Sequence, residues 1–478
     1  MKKILFLLFL VGFTFSCTKD FESLNTDQKN PSNVPPGTLF SFAQKSMQDL
    51  MTEPNVNRNI FRFLSQYWTS TTYVDEPQYD ISTRNIPQNV WRILYRDVLN
   101  NMKECQRLIP EQGAGVIPVV QKNQNACAEI MTVYTYSVLV LTFGDVPYSE
   151  ALSYPNLYPK FDDAKTIYTD LATRLDKAIS DIDVNNGGFG SQDLLYAGDM
   201  AGWKTFANSL KLRLGMILAD ADAGTAKRMV EEAAPGAIKA NGENAVFYYM
   251  SSPPNTNPIW VDLVQSGRKD FVAANTIVDA MNGLNDPRVP LYFTEDANGG
   301  YTGGIYGTSN NYATYSKPAE IITEPDFEAL LIDYAEVEFL LAEAVERNMN
   351  VGGTAAEHYE KAIRASIQYW GGSTADADTY LGQASVAYAT ATGDWKQKIG
   401  TQKWIALYNR GFDGWVEWRR FDYPILNVPP DPSITYADIP RRYTYPVDEQ
   451  NLNTDNYNAA STAIGGDNVK TKLFWDKF

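Results

Sequence analysis

The residues with the clearest chemical potential are aromatic, and many lie where a buried core has no need of them. The chain of 478 residues holds 29 Tyr and 10 Trp. One run is Tyr67-Trp68-Thr69-Ser70-Thr71-Thr72-Tyr73, with Tyr79 just beyond it. Another is Tyr301, Tyr306, Tyr312 and Tyr315 among Gly299-Gly300, Gly303-Gly304 and Gly307. A flat ring beside amides and hydroxyls suits a sugar, whose C–H face stacks on the ring while its hydroxyls find hydrogen bonds. The same rings also bury well once each hydroxyl is satisfied. Trp68, Tyr73, Tyr79, Tyr301, Tyr306 and Tyr312 are therefore the candidate ligand-binding residues.

Catalysis has far less material. The only histidine is His358, which removes every mechanism and metal site that needs two. No G-x-S-x-G elbow, P-loop or dinucleotide fingerprint is present. No catalytic residue, metal ligand or cofactor is assigned. A pair of carboxylates needs no histidine, so a glycoside hydrolase remains an alternative. Asp181-Ile182-Asp183-Val184-Asn185 opens like a calcium loop. It departs from that pattern at the sixth position, Asn186 in place of glycine, and at the twelfth, Gln192 in place of glutamate.

The elements that must hold the aromatics read as mostly helical. Val90, Leu94, Val98 and Met102 form an i, i+4 stripe within Val90–Leu108, and Asn125–Phe143 is a more apolar helix stopped by Gly144. Ala164, Tyr168 and Leu171 are spaced by four and three, as are Ala226, Val230 and Ala233, and Ala355, Tyr359 and Ala362. This spacing matches the second helix of a tetratricopeptide-type hairpin. His358 falls inside the last of these motifs and reads as a helix-face residue. From about 241 to 323, prolines and glycines predict a loop-rich insertion with short strands at most. The length allows one large domain or two or three small ones. Cys105 and Cys127 read as buried thiols, although a disulfide between them stays open.

The amino terminus predicts export. Lys2 and Lys3 precede an apolar run from Ile4 to Phe15, which ends in Ser16-Cys17. That run suits a signal segment and is too short to span a bilayer. Residues 1–16 are read as a lipoprotein signal peptide, Cys17 as the site of lipid attachment, and residues 17–38 as anchor and tether. An ordinary secretory signal with an incidental cysteine is the rival. The formal charge of −16 argues against nucleic acid and against direct adsorption to anionic lipid.

Several strings, in order along the chain, resemble the SusD/RagB family of nutrient-binding outer-membrane lipoproteins. They are Thr142-Phe143-Gly144-Asp145-Val146-Pro147-Tyr148, the helix from Trp203 to Leu214, Asp286-Pro287-Arg288, and Tyr334 to Ala344. Thr401 to Tyr408, Trp415 to Arg420, and Pro440-Arg441-Arg442 with Tyr445-Pro446 complete the set. Arg419, Arg420, Arg441 and Arg442 are expected to be held by carboxylates. The resemblance implies that residues 39–478 form one tetratricopeptide-like helical domain carrying a loop-rich face, and that it is not an enzyme. It implies a surface-facing lid that captures oligosaccharides and passes them to a TonB-dependent, SusC-like transporter. The acidic residues Asp20 and Glu22, diluted by Lys19, are similar to the family's surface-export pattern. In this family the ligand site lies in variable loops, so no ligand residue carries over by motif.

Aromatic loops favour an oligosaccharide; RagB-like members make an oligopeptide the alternative. A structural or adhesive surface protein is a third reading, which a neighbouring gene for a TonB-dependent barrel would oppose. The anchor is directly testable. Cys17→Ala is expected to move the protein from the membrane fraction to the soluble fraction after cell lysis, and continued membrane retention of that variant would refute lipid attachment.

Overall fold

The computed structural model describes residues 34–113 and 115–478. The signal segment, Cys17 and the tether through residue 33 lie outside the described residues. Helix α1 (Pro36–Thr52) already includes the last three positions assigned to the tether.

The scaffold is a series of helical hairpins. The principal helices after α1 are α2 (Pro118–Phe143), α3 (Ala164–Asp181), α4 (Met200–Ile217) and α5 (Ala223–Ala233). They are followed by α6 (Tyr334–Glu346), α7 (Ala355–Tyr369), α8 (Trp395–Ala406) and α9 (Gly411–Phe421). Helices α2 and α3, α4 and α5, and α6 and α7 pack as antiparallel partners, and α6 also packs on α8, which pairs with α9. The small–large–small triplets expected of second helices fall on α3, α5 and α7, and every one of those residues is buried. Gly215 shows how close the approach is. A Cβ there would lie 2.9 Å from Val230 Cγ2 and 3.1 Å from Met229 Cβ. The mostly helical, tetratricopeptide-like reading holds.

The i, i+4 stripe has a local cause. Val90, Leu94, Val98 and Met102 are fully buried, yet a strict repeat of four drifts by roughly 40° per step on a helix of 3.6 residues per turn. The chain meets that drift with a π-helical stretch, Ile93–Leu99, between α-helical Ile86–Arg92 and Asn100–Leu108. One wide turn returns the face by about 100°. Helix α2 is long and apolar enough to cross a membrane, but 94% of its most apolar window is buried in the fold, so here it is a core helix.

Among the described residues, six short strands make three antiparallel ladders: β1 (Trp68–Ser70), β2 (Val146–Pro147), β3 (Phe161–Asp162), β4 (Ala245–Phe247), β5 (Phe271–Ala273) and β6 (Ala329–Ile332). β1 pairs with β5, β2 with β3, and β4 with β6. The segment expected to be loop-rich is more regular than its prolines and glycines suggest, since Asn275–Gly283 is a helix with Ile277, Val278 and Met281 buried.

Buried charge ties the hairpins together. Glu336 on α6 accepts from Arg213 Nε of α4 at 2.6 Å and from Arg410 Nη2 at 2.5 Å. Glu343, one helix repeat later, takes Arg420 Nη2 of α9 at 2.6 Å, and Glu417 takes Arg420 Nη1 at 2.7 Å and Lys403 Nζ at 3.0 Å. Arg441 pairs with Asp422 and Asp476, and Arg442 with Asp467. Arg419 departs from expectation. It donates to the carbonyl oxygens of Leu141 and Arg441, at 2.7 and 2.8 Å, and lies 3.5 Å over the Trp415 ring. Carbonyls and indole faces hold it where a carboxylate was expected. Cys105 and Cys127 are free and buried, and burial pushes the Cys105 thiol up to about 12.

His358 pins α7 to α6. Its Nδ1 lies 2.6 Å from Glu338 Oε2 and its Nε2 lies 3.0 Å from the Gly352 carbonyl. Burial alone would lower its pKa, but the Glu338 and Gly352 acceptors outweigh burial and raise it. The folded state therefore holds this proton more tightly than the unfolded chain. The stabilisation is complete below the unfolded value of about 6.5 and is lost as pH rises through the raised folded value. Relative to His358→Gln, the wild-type protein is expected to melt at a higher temperature at about pH 6 and to lose that margin by about pH 9. A pH-independent difference would show that the pair carries no proton linkage.

Candidate functional site

The β1–β5 ladder brings two loop segments to one edge of the scaffold. Trp68 pairs with Ala273, Thr69 with Val272 and Ser70 with Phe271, so the chain leaving β1 lies against the chain entering β5. Thr71 N continues the contact to Asp270 O at 2.8 Å. Between these segments and the turn at Asn55–Asn57 runs an open groove of about 370 Å³, within the size range of small-ligand sites.

One wall carries Tyr73, 54% exposed, with the Arg84 guanidinium 5.5 Å from the ring centre. Arg84 is ion-paired with the buried Glu76, and its Nη1 reaches Asn57 Oδ1 at 3.3 Å. The opposite wall carries Asp262, Arg268 and Asp270, with Arg268 Nε 2.5 Å from Asp270 Oδ2. Burial pushes Asp262 above the usual carboxylate range, with Arg268 pulling the other way. Phe63 and Phe271 form apolar ground between the walls. The groove therefore offers one accessible ring, two guanidinium groups, three carboxylates and two asparagines. A ligand hydroxyl can donate to a carboxylate and accept from a neighbouring guanidinium, so a neutral polyhydroxylated molecule satisfies both. His358 does not line the groove. A separate, partly open pocket beside Tyr134, Phe327, Tyr369, Trp370 and Arg410 is far smaller, at about 30 Å³.

The six candidate aromatics divide sharply. Tyr73 lines the groove. Trp68 is 1% exposed, donates its indole N–H to Tyr408 Oη at 3.1 Å, and lies 4.8 Å from the Arg62 guanidinium. Tyr306 is equally buried and donates to Phe63 O at 2.8 Å. Tyr79 is buried at a φ of +74°, with its ring 6.3 Å from Tyr306. Trp68, Tyr79 and Tyr306 therefore have no face to give a ligand; they are core. Tyr301 is half-buried and packed on that core. Tyr312 is half-buried beside Lys269 Nζ and Lys317 Nζ, 5.6 and 5.3 Å from its ring centre, and does not line the groove.

Aromatic content alone missed Arg84, Asp262, Arg268 and Asp270. Their signal was available as charge: Arg268-Lys269-Asp270 immediately precedes an apolar strand, and such a cluster at a strand entry marks a surface edge. The calcium-like string does not assemble. Asp181 is paired with Lys122 and Lys177, and the Asp183 N–H and carbonyl are both bound by the Asn123 amide. Among the described residues no cluster of three histidine, cysteine or acidic side chains could hold a metal ion.

Comparison with known proteins supplies the relatives. A family model described as "Starch-binding associating with outer membrane" matches residues 28–446. A chitin-binding SusD homolog from Flavobacterium johnsoniae superposes with a TM-score of 0.76 at 25% identity, covering 92% of this chain and 97% of that one. A SusD-like protein from Bacteroides thetaiotaomicron gives 0.77 at 25% identity, with 92% and 99% covered. A SusD homolog from Parabacteroides distasonis gives 0.81 at 23% identity, with 93% and 98% covered. No curated protein sequence matches the chain. With a family model spanning most of its length and a shared helical architecture, the chain belongs to the SusD-like family.

Proposed function

We propose that this protein captures oligosaccharides at the cell surface, held to the outer membrane by lipid on Cys17, and delivers them to a TonB-dependent, SusC-like transporter. The observation that carries the reading is the exposed Tyr73 ring in a groove whose other groups are paired guanidinium, carboxylate and amide. That combination meets both faces of a sugar, the C–H face by stacking and the hydroxyl edge by charge-assisted hydrogen bonds. The family's description names starch binding and the outer membrane, and one homolog 25% identical to this chain is named as chitin-binding. The role is binding, with no chemical step assigned. The Arg268–Asp270 and Arg84–Glu76 pairs are the feature that favours an oligopeptide instead, since they match the alternating charges of a peptide's ends and side chains.

Two substitutions separate ligand contact from core. Tyr73→Ala is expected to weaken binding of maltooligosaccharides or chitooligosaccharides, measured by calorimetry, by about tenfold or more, which is about 1.4 kcal/mol, with the melting temperature unchanged. Preferential binding of a peptide of similar length would overturn the sugar reading. Tyr306→Ala is expected to do the reverse, costing roughly 3–5 kcal/mol of stability as a large buried aromatic, seen in denaturant unfolding. An undiminished stability in that variant would return Tyr306 to the ligand site.

A further inference from the structure

A second groove, close to 390 Å³, shares a stretch of chain with the first. Arg84 lines the Tyr73 groove and the next residue, Asn85, lines this one. The stretch that contributes to both linings is a turn, Ser82 to Asn85, closed by Asn85 N–H to Ser82 O at 2.9 Å. Asp80 holds it from beneath, accepting from Ser82 N at 2.8 Å and from Thr83 N at 3.1 Å. The far wall comes from the C-terminal segment, with Pro446, Gln450, Tyr457 and Asp467.

The chemistry of this groove is more neutral than that of the first. Asn85 is exposed at a φ of +50°, and its side chain caps nothing although it precedes a helix. Gln88 accepts from Asp448 N–H at 3.4 Å, and Gln450 donates to Tyr445 O at 3.3 Å. The one carboxylate, Asp467, is already compensated: Arg442 donates to it at 2.6 Å and Tyr457 at 3.2 Å. Amides that both donate and accept, a half-buried tyrosine ring and a proline form a lining without a strong charge to offer. Such a lining offers a charged ligand no opposite charge and suits a neutral polyhydroxylated one.

We infer that the second groove is a further subsite for the same oligosaccharide, reached by chains long enough to cross the Ser82–Asn85 turn. The inference rests on the sugar-binding reading of the first groove. Two adjoining grooves make the second contact intramolecular, so affinity rises with chain length once the turn is crossed, with no change in how a short chain binds. The protein would then favour long chains over their fragments.

The test is a calorimetric titration of the full chain with maltooligosaccharides, and with N-acetylglucosamine oligomers, from disaccharide to octasaccharide. Wild-type affinity is expected to step up by about tenfold at one length. Asn85→Gly with Gln450→Ala, which keeps the left-handed backbone open to glycine, is expected to remove the step and leave short-chain affinity unchanged. Ser82→Trp, a block at an exposed position, is expected to do the same, with melting temperatures confirming that each variant is folded. Tyr73→Ala lowers affinity at every length. A step that survives Ser82→Trp, or a wild-type affinity that is flat with length, overturns the second subsite while leaving the first groove standing. No binding at any length overturns the sugar reading and the subsite with it.

Discussion

One carboxylate organises this fold. Glu336 sits fully inside the protein between two arginines from different parts of the chain, Arg213 and Arg410. Burial alone would push Glu336 up and neutralise it; Arg213 and Arg410 together hold it well below the usual carboxylate range. A buried charge without its partners costs several kcal/mol, so each member of the group demands the others in place. Arg410 also reaches Asp413 and Asp333, and the same face of α6 carries Glu343 into the Arg420–Glu417–Lys403 group. Apolar packing alone would let neighbouring hairpins slide by a turn at modest cost. Charges at fixed heights on α4, α6, α8 and α9 forbid that, because a slipped register strands arginine in the core.

The groove inherits its position from this interior. Gly411, the residue after Arg410, lies against the Phe61–Arg62 backbone, where a Cβ would sit 2.6 Å from Arg62 N. Arg62 in turn bonds to the Asn409 carbonyl at 3.1 Å and to its side chain at 2.9 Å. Tyr67 donates to Trp404 O at 2.6 Å, and Trp404 donates back to Ser65 O at 2.9 Å. The segment that becomes β1 is thus bolted to the α8–α9 hairpin before it pairs with β5. Tyr73 stands five residues beyond Trp68, the start of that anchored strand, which fixes the wall it forms against Arg268 and Asp270. A ligand site on loops needs such a rigid root, since an unsupported loop would lose the geometry that selects the ligand.

This arrangement explains what was legible in the sequence and what was not. The hairpins were legible because small–large–small spacing is a local consequence of close helix packing, and the residues that show it are the ones that touch. The π turn was not, since a repeat of four reads the same whether the helix widens or the stripe drifts. Partners of buried charge were legible only as a class: Arg420, Arg441 and Arg442 did find carboxylates, while Arg419 found carbonyls and indoles. The aromatic loops misled for a physical reason. Glycines around Tyr306 were read as openness, yet a Cβ at Gly303 would lie 2.5 Å from the Asn275 backbone, and one at Gly304 would lie 2.7 Å from Val272. They permit close approach, and that approach drives Tyr306 into the core. Tyr73 has no such glycines beside it, and it is the ring that stays outside.

The buried charge network and the lining of the groove therefore draw on different residues. The core arginines and tryptophans are buried, whereas Arg268 and Asp270 are 50% and 26% exposed in their side chains. An ion pair of that kind contributes about 0–1 kcal/mol to folding, so replacing it alters the groove at little risk to the fold. The same holds for Tyr73, whose half-exposed ring makes one cation–π contact with a partly exposed arginine. A scaffold locked from within can present a groove whose lining is free to vary, and different ligands then require only different surface residues on an unchanged frame. On the proposed reading, in which a ligand is taken up and later released, an open groove with one stacking ring is also a suitable design. Each contact in such a groove would be weak enough to break singly, with affinity coming from the number of sugar units engaged at once.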